Sequence, residues 1–320
     1  MSEVDGFSFK HRFGEPVKFL PVAFIVLNTT FLYFVYVFFH LITLLKTSSS
    51  FVLGVVETVV FHILTILLVV SYIRSMLVHP GKIPDDVKWK YNPHEDNSIS
   101  QEDGLVENVV EKKKHGGKRT CKWCATYKPD RCHHCRVCRT CILKMDHHCP
   151  WIYNCVGFRN HKYFILLILY SVLDTHFIVW TMSTTVVASV EDCDSLARTF
   201  VVLFAETLAA LFAFLTTIFF GFHVMLVSQN MTTIEFCEKS AKHVESKATP
   251  KYSRSFYDNV RSVLGDTPLL WLVPLSPPSG DGINFTKDTQ IREVVRYPRN
   301  LTGAASSSAL ASPLRRAERA

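Results

Sequence analysis

Apolar residues in this chain lie in four long blocks, whereas a soluble core would alternate them with polar residues. The blocks cover residues 19–45, 51–73, 163–190 and 199–228. Each block reaches or exceeds the ~20 mostly apolar residues that an α-helix needs to cross ~30 Å of hydrocarbon. The pattern therefore predicts an α-helical polytopic membrane protein with four transmembrane helices.

The polar stretches between these blocks indicate how the chain is organised. Residues 92–119 are charged and without sustained periodicity, which is typical of a linker. The cysteine-rich stretch that follows runs directly into the third apolar block, so its chemistry is expected at the membrane surface. The expected order is a tail at 1–18, the first two helices within 19–73, a linker at 74–120, a cysteine-rich domain at 121–162, the last two helices within 163–228, a further region at 229–302 and a disordered tail at 303–320.

Lysine and arginine are distributed unevenly around the predicted helices. Of these 35 residues, only Lys46 and Arg198 fall in the two short loops; the others flank the helices on the opposite side. Cytoplasmic loops near membrane spans carry the excess of positive charge, so both termini and the cysteine-rich domain are predicted to be cytosolic. The expected location is an endomembrane, such as the Golgi or ER, or the plasma membrane. The net charge of +7 suits a lipid bilayer with an anionic face or acidic ligands. Nucleic acid is not expected as a partner, because the sequence has no basic face interleaved with aromatic residues.

Eight of the ten cysteines lie between residues 121 and 155. In the cytosol thiols stay reduced, which favours metal binding or catalysis over disulfides. Three C-x-x-C steps link Cys121 to Cys124, Cys135 to Cys138, and Cys138 to Cys141. Such a step lets two thiolates meet one tetrahedral Zn²⁺, with histidine as a usual further ligand. The stretch holds enough ligands for two closed zinc sites with groups left over, and the spacing alone leaves open which groups those are.

The run CKWCATYKPDRCHHCRVCRTCILKMDHHCPWIYNC resembles the cysteine-rich domain of the DHHC protein S-acyltransferases, or palmitoyltransferases. The four-helix layout, with this domain between the second and third helices, is also similar to that family. TTIE at 232–235 resembles its TTxE motif, and NVRSVLG at 259–265 resembles its C-terminal palmitoyltransferase motif. Two features depart from the family pattern. His79 stands where the family usually has aspartate before Pro-Gly, and Cys132 is an extra cysteine, expected as a surface thiol outside the zinc sites or as an acylated one.

The resemblance implies a role for most residues of this run. Cys149 would be the nucleophile, His147 its general base and Asp146 the group that orients the base. Two structural Zn²⁺ ions would be held, one by Cys121, Cys124, His134 and Cys141, the other by Cys135, Cys138, His148 and Cys155.

The chemistry of these residue types agrees with the implied roles. A thiol of pKa ~8.5 is only a few per cent ionised at neutral pH, so attack on a thioester needs an adjacent base or a lowered pKa. His147, two residues before Cys149, supplies either, and Asp146 can accept from the far imidazole nitrogen and hold the tautomer. The alternative is that residues 146–149 are ordinary metal-site residues.

Further residues are candidates for substrate binding or support. Lys128 and Arg131 are expected to meet the phosphates of coenzyme A, with a solvated basic loop as the alternative. Trp151 is expected to pack over the thioester or against the zinc fold. Asp174, ~16 Å along a helix past Tyr163, is expected near mid-membrane, either lining an acyl cavity or making an interhelical hydrogen bond. Supporting roles are implied for Thr232, Thr233, Glu235 and Asn259, although threonines after a helix are more often caps.

The resemblance implies an integral membrane protein S-acyltransferase. Acyl-CoA presented from the bilayer would acylate Cys149, and the long-chain acyl group, such as palmitate, would pass to a cytosolic cysteine of a membrane-associated substrate protein. The competing interpretation is a non-enzymatic, membrane-anchored zinc adaptor or a ubiquitin-ligase-like module. Such a module would use its ligand-like residues for metal and would need no free cysteine beside an Asp–His pair.

Overall fold

The computed structural model describes residues 16–91, 109, 111, 117–191, 195–241, 252–276 and 278–285. Most of the expected N-terminal tail, most of the charged stretch at 92–119 and the whole tail at 303–320 lie outside the described residues. Within the described part, four helices are long and apolar enough to cross a membrane, which confirms the predicted fold class. These spans are Val17–Lys46, Phe51–Leu77, His161–Glu191 and Leu196–Ser228.

The second and third spans continue beyond their apolar blocks at the ends that meet the cysteine-rich domain. Arg74 extends the second span, and its Nη2 donates to the Tyr163 hydroxyl at 3.0 Å. Lys162, in the first turn of the third span, is fully buried. These polar side chains pack against protein at the membrane surface, so the helices extend further than apolar composition predicts.

The first span changes its helical form part of the way along. It consists of a 3₁₀ turn (Pro16–Phe19), helix α1 (Leu20–Val35), a π-helical segment (Tyr36–Leu41) and helix α2 (Ile42–Lys46). A π turn widens the helix by one residue and is often found at functional positions. Here it carries Tyr36 and His40, both of which are buried against the other spans.

The remaining helices are α3 (Phe51–Leu77), α4 (His161–Glu191) and α5 (Leu196–Ser228), which form the second to fourth spans, followed by α6 (Thr233–Ala241) and α7 (Phe256–Leu264). Short 3₁₀ turns lie at Val87–Trp89 and Pro268–Leu270. A large apolar core inside the membrane is formed where the first, second, third and fourth spans meet around Tyr36, Phe61, Met182 and Val202.

The cysteine-rich domain is built from three two-stranded antiparallel hairpins. These are β1 (Thr120–Cys121) with β2 (Thr126–Tyr127), β3 (His133–Cys135) with β4 (Thr140–Ile142), and β5 (His147–Cys149) with β6 (Asn154–Val156). In the second hairpin His134 lies opposite Cys141, and in the third His148 lies opposite Cys155. Residues opposite each other have Cβ atoms only ~5 Å apart, so this register brings a histidine and a cysteine to one point in each hairpin.

Two asparagines fasten this domain to the end of the second span. Asn154 Nδ2 lies 3.0–3.2 Å from the carbonyls of Ser75, Met76 and Val78. Asn160 Nδ2 also donates to Ser75, at 3.2 Å. The last carbonyls of a helix have no partner within it, and the asparagines satisfy them. The domain is therefore held directly on the membrane-spanning bundle.

The His79-Pro80-Gly81 turn, which departs from the family pattern, lies at the same junction. His79 Nδ1 accepts a hydrogen bond from the N–H of Gly81 at 3.0 Å. Gly81 has φ +111°, a conformation that side chains with a Cβ rarely adopt. An imidazole nitrogen thus serves as the acceptor that closes this turn.

Candidate active site

Cys149 ends strand β5, in an apolar setting beneath the zinc-binding hairpins. It is 4% exposed and belongs to a cluster that includes Ile152, Phe164, Val227 and Val263. These neighbours come from the third hairpin, the third span, the fourth span and α7. The thiol therefore lies where the cysteine-rich domain, the membrane bundle and the C-terminal region meet.

Asp146 is fully buried just before β5 and accepts three hydrogen bonds. Its Oδ2 lies 2.6 Å from His147 Nδ1 and 2.7 Å from the Thr233 hydroxyl, and its Oδ1 accepts from the Thr233 N–H at 2.9 Å. Burial opposes ionisation, but the hydrogen bond from His147 and the nearby imidazoles hold the pKa of Asp146 well below its usual range. The carboxylate is ionised and fixed in orientation.

His147 connects this carboxylate to the nucleophile candidate. Burial favours the neutral imidazole, but interactions with Asp146 and with the Cys149 side chain raise the pKa of His147 to about 9. Nδ1 is engaged by Asp146, so Nε2 is the nitrogen left for the thiol. A protonated imidazole stabilises an adjacent thiolate, which is the reactive form of cysteine. His147 therefore interacts with both Asp146 and Cys149, and the catalytic roles expected for these three residues stay a prediction.

The eight remaining ligand candidates form two separate clusters with the predicted membership. One contains Cys121, Cys124, His134 and Cys141, the other Cys135, Cys138, His148 and Cys155. The sulfur to Nδ1 distances are 3.3–3.9 Å in the first cluster and 3.5–3.7 Å in the second. Ligands ~2.0–2.3 Å from a tetrahedral ion lie about 3.5 Å apart, so both clusters fit a closed zinc site. Cys149 belongs to neither cluster.

Cys132 is not the surface thiol that the sequence predicted. Its side chain is completely buried next to the first cluster, where it interacts with Cys141. The residue packs in an apolar group that includes Ile83, Trp89 and Phe158. The segment before the double histidine turns inward, and this burial removes Cys132 from any acylation at the surface.

The TTxE residues act as a helix cap and as a link to the site. Thr232 N–H donates to Glu235 Oε2 at 2.9 Å, and Glu235 N–H donates to the Thr232 hydroxyl at 3.2 Å. This reciprocal pair is a capping box at the start of α6. Thr233 is left free to bond Asp146. Thr232 therefore caps a helix, whereas Thr233 contacts Asp146, and a supporting role of Thr233 in catalysis stays a prediction.

Arg131 occupies a different position from the one expected for a phosphate ligand. Its side chain is 0% exposed, and its Nε and Nη2 donate to the two carboxylate oxygens of Glu235 at 2.7 and 2.9 Å. Nη1 and Nη2 also bond Asn230, and the guanidinium lies over the rings of Tyr252 and Phe285. The prediction that Arg131 binds coenzyme A is inconsistent with this burial, because its donors are used inside the protein.

Comparison with known proteins agrees with this geometry. Residues 114–240 match the family model described as DHHC palmitoyltransferase. The chain is 33% identical over 282 residues to palmitoyltransferase ZDHHC15 of Rattus norvegicus, covering 84% of this chain and 82% of that one. It is 32% identical over 302 residues to palmitoyltransferase ZDHHC2 of Homo sapiens, covering 88% and 78%. The chain belongs to the DHHC palmitoyltransferase family.

A cavity of about 390 Å³ lies among the spans of this DHHC family member. Its walls are mainly apolar, with Tyr33, Phe61 and Ile178 among them, and Asp174 is part of the lining. Tyr72 and Leu167 line the cavity and also pack against the cluster around Cys149. The cavity therefore extends from the membrane interior towards the nucleophile candidate.

Asp174 has both of the features weighed for it. It lines the cavity, and its Oδ1 lies 3.4 Å from the hydroxyl of Thr65 on the second span. Hydrogen bonds of this length are weak. Asp174 is 5% exposed, as expected for an ionisable residue that faces the bundle interior.

Lys128 and Trp151 lie at the edges of the site. Lys128 is half-buried beside the first cluster. The pKa of His133 is lowered to about 4, first by the burial of His133 itself, then by the charge of Arg119 and then by the charge of Lys128. Trp151 is 49% exposed, with its ring 6.1 Å from that of Phe24 on the first span. Its carbonyl accepts from the Tyr72 hydroxyl at 2.9 Å. The indole thus faces the membrane side of the third hairpin and does not pack inside the zinc fold.

Two residues near the site were not given a role by the sequence. His223, on the fourth span, is 1% exposed and has a ring nitrogen within 4.8 Å of both Asp146 and His147. Lys144 is buried two residues before Asp146; burial, reinforced by Arg131, lowers its pKa to about 7. In the sequence His223 is a single ionisable residue within the fourth apolar block, and Lys144 stands in the motif without a distinguishing pattern.

Proposed function

We propose that this protein is a protein S-acyltransferase that moves a long-chain acyl group from acyl-CoA to cysteines of membrane-associated proteins. The observation that carries the proposal is the position of Cys149, outside both ligand clusters and beside a histidine that is bonded to a buried carboxylate. A purely structural zinc module has no use for that arrangement. The adaptor alternative lacks a comparable supporting feature among the described residues.

The reaction proceeds in two balanced transfers. The Cys149 thiolate attacks the acyl-CoA carbonyl, a carbon–sulfur bond forms, and the coenzyme A thiolate leaves and receives the proton that His147 carries. The thiol of the substrate protein then attacks the new thioester, giving its proton to His147. Cys149 leaves as a thiolate again. Asp146 keeps the imidazole oriented through both steps, as the acid does in a Ser-His-Asp triad.

The cavity supplies the place for the acyl chain in this proposal. Its apolar walls bury hydrocarbon, at about 0.8 kcal/mol for each CH₂ group removed from water. Tyr72 and Leu167 connect it to the surroundings of Cys149. Lys128 remains the candidate for the phosphates of coenzyme A, because it is partly accessible beside the zinc-binding hairpins.

Two Zn²⁺ ions are proposed as structural cofactors. Each cluster provides three cysteines and one histidine with tetrahedral spacing. When bound, the ions supply cross-links between hairpins that have little apolar core of their own. His148 is a ligand between His147 and Cys149, so the second cluster holds the catalytic strand in place.

We place both termini and the cysteine-rich domain in the cytosol, in an endomembrane or the plasma membrane. The support is the location of all but two of the lysines and arginines on one side of the spans. Substrates would then be membrane-associated proteins with cytosolic cysteines. Protease added to sealed microsomes with their cytosolic face outward should remove the C-terminal tail. A protected tail would contradict the orientation.

The function is tested by comparing zinc content with acyl labelling in purified variants. Cys149→Ala should keep two zinc ions per chain and lose both the hydroxylamine-sensitive acyl label and transfer to substrate. Cys135→Ser removes a ligand, so zinc, solubility and labelling should fall together. His147→Ala should keep zinc and acylate ~10²–10⁴-fold more slowly.

The opposite results identify the adaptor. If Cys149→Ala loses a zinc ion, the thiol is a ligand and the nucleophile assignment is wrong. If the unmodified, zinc-loaded protein takes no label from acyl-CoA in a membrane, the acyltransferase proposal is wrong.

A further inference from the structure

The short segment after α7 exposes large apolar side chains outside the spans. It covers residues 268–275, with the sequence PLLWLVPL. Leu269 is 90% exposed, and Leu272 and Leu275 are each 60% exposed. The segment begins as a 3₁₀ turn, in which side chains three residues apart lie on one face. Hydrogen bonds from residue i to residue i−3 continue as far as Val273, so Leu269 and Leu272 share a face; we call these two leucines, together with the exposed Leu275, the leucine ridge.

Side chains of the third span satisfy the backbone of this segment. Lys162 Nζ donates to the carbonyl of Leu270 and to the hydroxyl of Ser276, both at 2.7 Å. The Tyr170 hydroxyl donates to the carbonyl of Leu272. A loop exposed to water needs no such partners, whereas an unpaired carbonyl in a water-poor layer is costly. Two carbonyls of the segment thus have side-chain partners inside the protein, which suits a loop in a water-poor layer.

The same bonds set the height of the segment along the bundle. Tyr170 lies nine residues after His161, about 13 Å along the helix at 1.5 Å per residue. The first turns of that helix are buried by protein, and large lipid-facing side chains begin just beyond, with Leu173 and then Trp180. The ridge thus lies next to the level at which the spans first present apolar side chains outward.

We propose that residues 268–275 insert their leucine ridge into the leaflet next to the cysteine-rich domain and anchor the C-terminal region there. The inference concerns membrane contact and goes beyond the proposed acyl transfer. The ridge continues the lipid-facing surface of the spans, which favours lipid over a protein partner. The anchor is joined to α7, whose Val263 packs in the cluster around Cys149. Lipid contact therefore holds one wall of the site.

Photo-crosslinking in the full chain tests the contact directly. Leu269→p-benzoylphenylalanine, reconstituted in phosphatidylcholine vesicles and irradiated, should give a phospholipid adduct detectable by mass. Trp180→p-benzoylphenylalanine, in the third span at an 84% exposed position, is the lipid-facing control. Lys122→p-benzoylphenylalanine, exposed on the first hairpin, is the water-facing control and should give none.

Two outcomes would overturn the proposal. One is an adduct at position 269 with a second protein chain, which would make the ridge a protein interface. The other is no lipid adduct at position 269 in vesicles where position 180 reacts. Both readouts are independent of acyltransferase activity, so a failed function would leave this result interpretable.

Hydrogen exchange tests the anchoring of α7. Leu269→Ser/Leu272→Ser should increase amide exchange across residues 256–264 in vesicles, because the polar ridge leaves the leaflet. The matched variant Leu269→Met/Leu272→Met keeps an apolar ridge and should exchange like the original protein. Unchanged exchange in the serine variant would show that lipid contact does not hold α7, and would overturn the anchoring role.

Discussion

Asp146 is the residue at which distant parts of the chain meet. One oxygen of the Asp146 carboxylate is hydrogen-bonded to the His147 imidazole. Thr233, 87 residues later in the chain, donates its backbone N–H and its hydroxyl to the same carboxylate. Thr233 begins α6, and α6 is held by the bond between Glu235 and the buried Arg131. The orientation of the Asp146 carboxylate thus depends on a helix that follows the fourth span.

Removing one of these donors should slow catalysis without unfolding the protein. Thr233→Val keeps the N–H and the side-chain volume but loses the hydroxyl that bonds Asp146 at 2.7 Å. A hydrogen bond to a charged group is worth ~1.5–3 kcal/mol, which corresponds to about 10–100-fold in rate if it acts in the transition state. Self-acylation from acyl-CoA measured beside zinc content should show that loss with two zinc ions retained.

The matched variant is Thr233→Ser, which keeps the hydroxyl and should stay within a few-fold of the original rate. Equal rates for Thr233→Val and the original protein would show that the hydroxyl does not orient Asp146. A loss of zinc in Thr233→Val would instead indicate a general structural effect.

The sequence predicted the composition of this site better than its surroundings. The membership of the two ligand clusters and the Asp–His–Cys order were implied by the resemblance to the DHHC family, position by position, whereas the C-x-x-C spacing alone left them open. Arg131 and Cys132 lie within the same motif, yet both are buried in roles that the sequence did not indicate. Burial depends on what packs over a residue, and Tyr252 and Glu235, which cover Arg131, are about a hundred residues away.

At the scale of elements, the first span is distinguished by polar contacts inside the membrane. His40 Nε2 lies 2.7 Å from Glu57 Oε2, and His40 Nδ1 lies 2.7 Å from the hydroxyl of Thr185. Tyr36, one turn earlier, bonds Thr181 at 2.6 Å. Both Tyr36 and His40 are carried by the π-helical segment, whose wider turn presents them to the second and third spans.

Breaking the His40–Glu57 pair should destabilise the bundle. His40→Leu leaves Glu57 buried at 8% exposure without its imidazole partner, and a buried polar group left without a hydrogen-bond partner costs about 1–3 kcal/mol. The midpoint of thermal unfolding in detergent should fall clearly. His40→Leu/Glu57→Leu removes both polar groups and should recover most of the loss. A double variant as unstable as the single one would contradict the explanation by a buried polar group without a partner.

The helices themselves were predictable, and the π segment was not. A helix that crosses the bilayer needs about 20 apolar residues, because the thickness of the hydrocarbon core sets its length. The number of long apolar blocks in the sequence therefore gives the number of spans. The ends of the second and third spans depend instead on polar residues, such as Arg74 and Lys162, that pack on the cysteine-rich domain. The π turn depends on partners in other spans, which leave no periodic pattern in residues 36–41.

For the molecule as a whole, the junctions between its parts determine where the cavity opens. Asn154 joins the cysteine-rich domain to the end of the second span. Asn259 Nδ2 donates to the carbonyl of Ser228 at 2.7 Å and joins α7 to the end of the fourth span. All four spans contribute to the cavity wall. The position of Cys149 relative to the cavity is therefore fixed by contacts at the ends of the second and fourth spans.

Asp174 provides a test of whether this cavity receives the acyl chain. Asp174→Leu replaces a buried carboxyl in the wall by an apolar side chain, which should favour hydrocarbon at that depth. Each methylene newly placed against an apolar wall gains up to ~0.8 kcal/mol, about fourfold in rate. Relative rates of self-acylation with myristoyl-, palmitoyl- and stearoyl-CoA should shift towards the chains that reach residue 174.

Thr65→Val is the control for the other role of Asp174. It removes the hydroxyl 3.4 Å from the carboxyl oxygen but leaves the carboxyl in the cavity wall. If the acyl chain passes Asp174, Thr65→Val should alter chain-length preference much less than Asp174→Leu. If both variants keep the original preference and bind two zinc ions, Asp174 serves only to join the second and third spans. Because the readout is a ratio among donors, a general loss of activity in either variant would not imitate the expected shift.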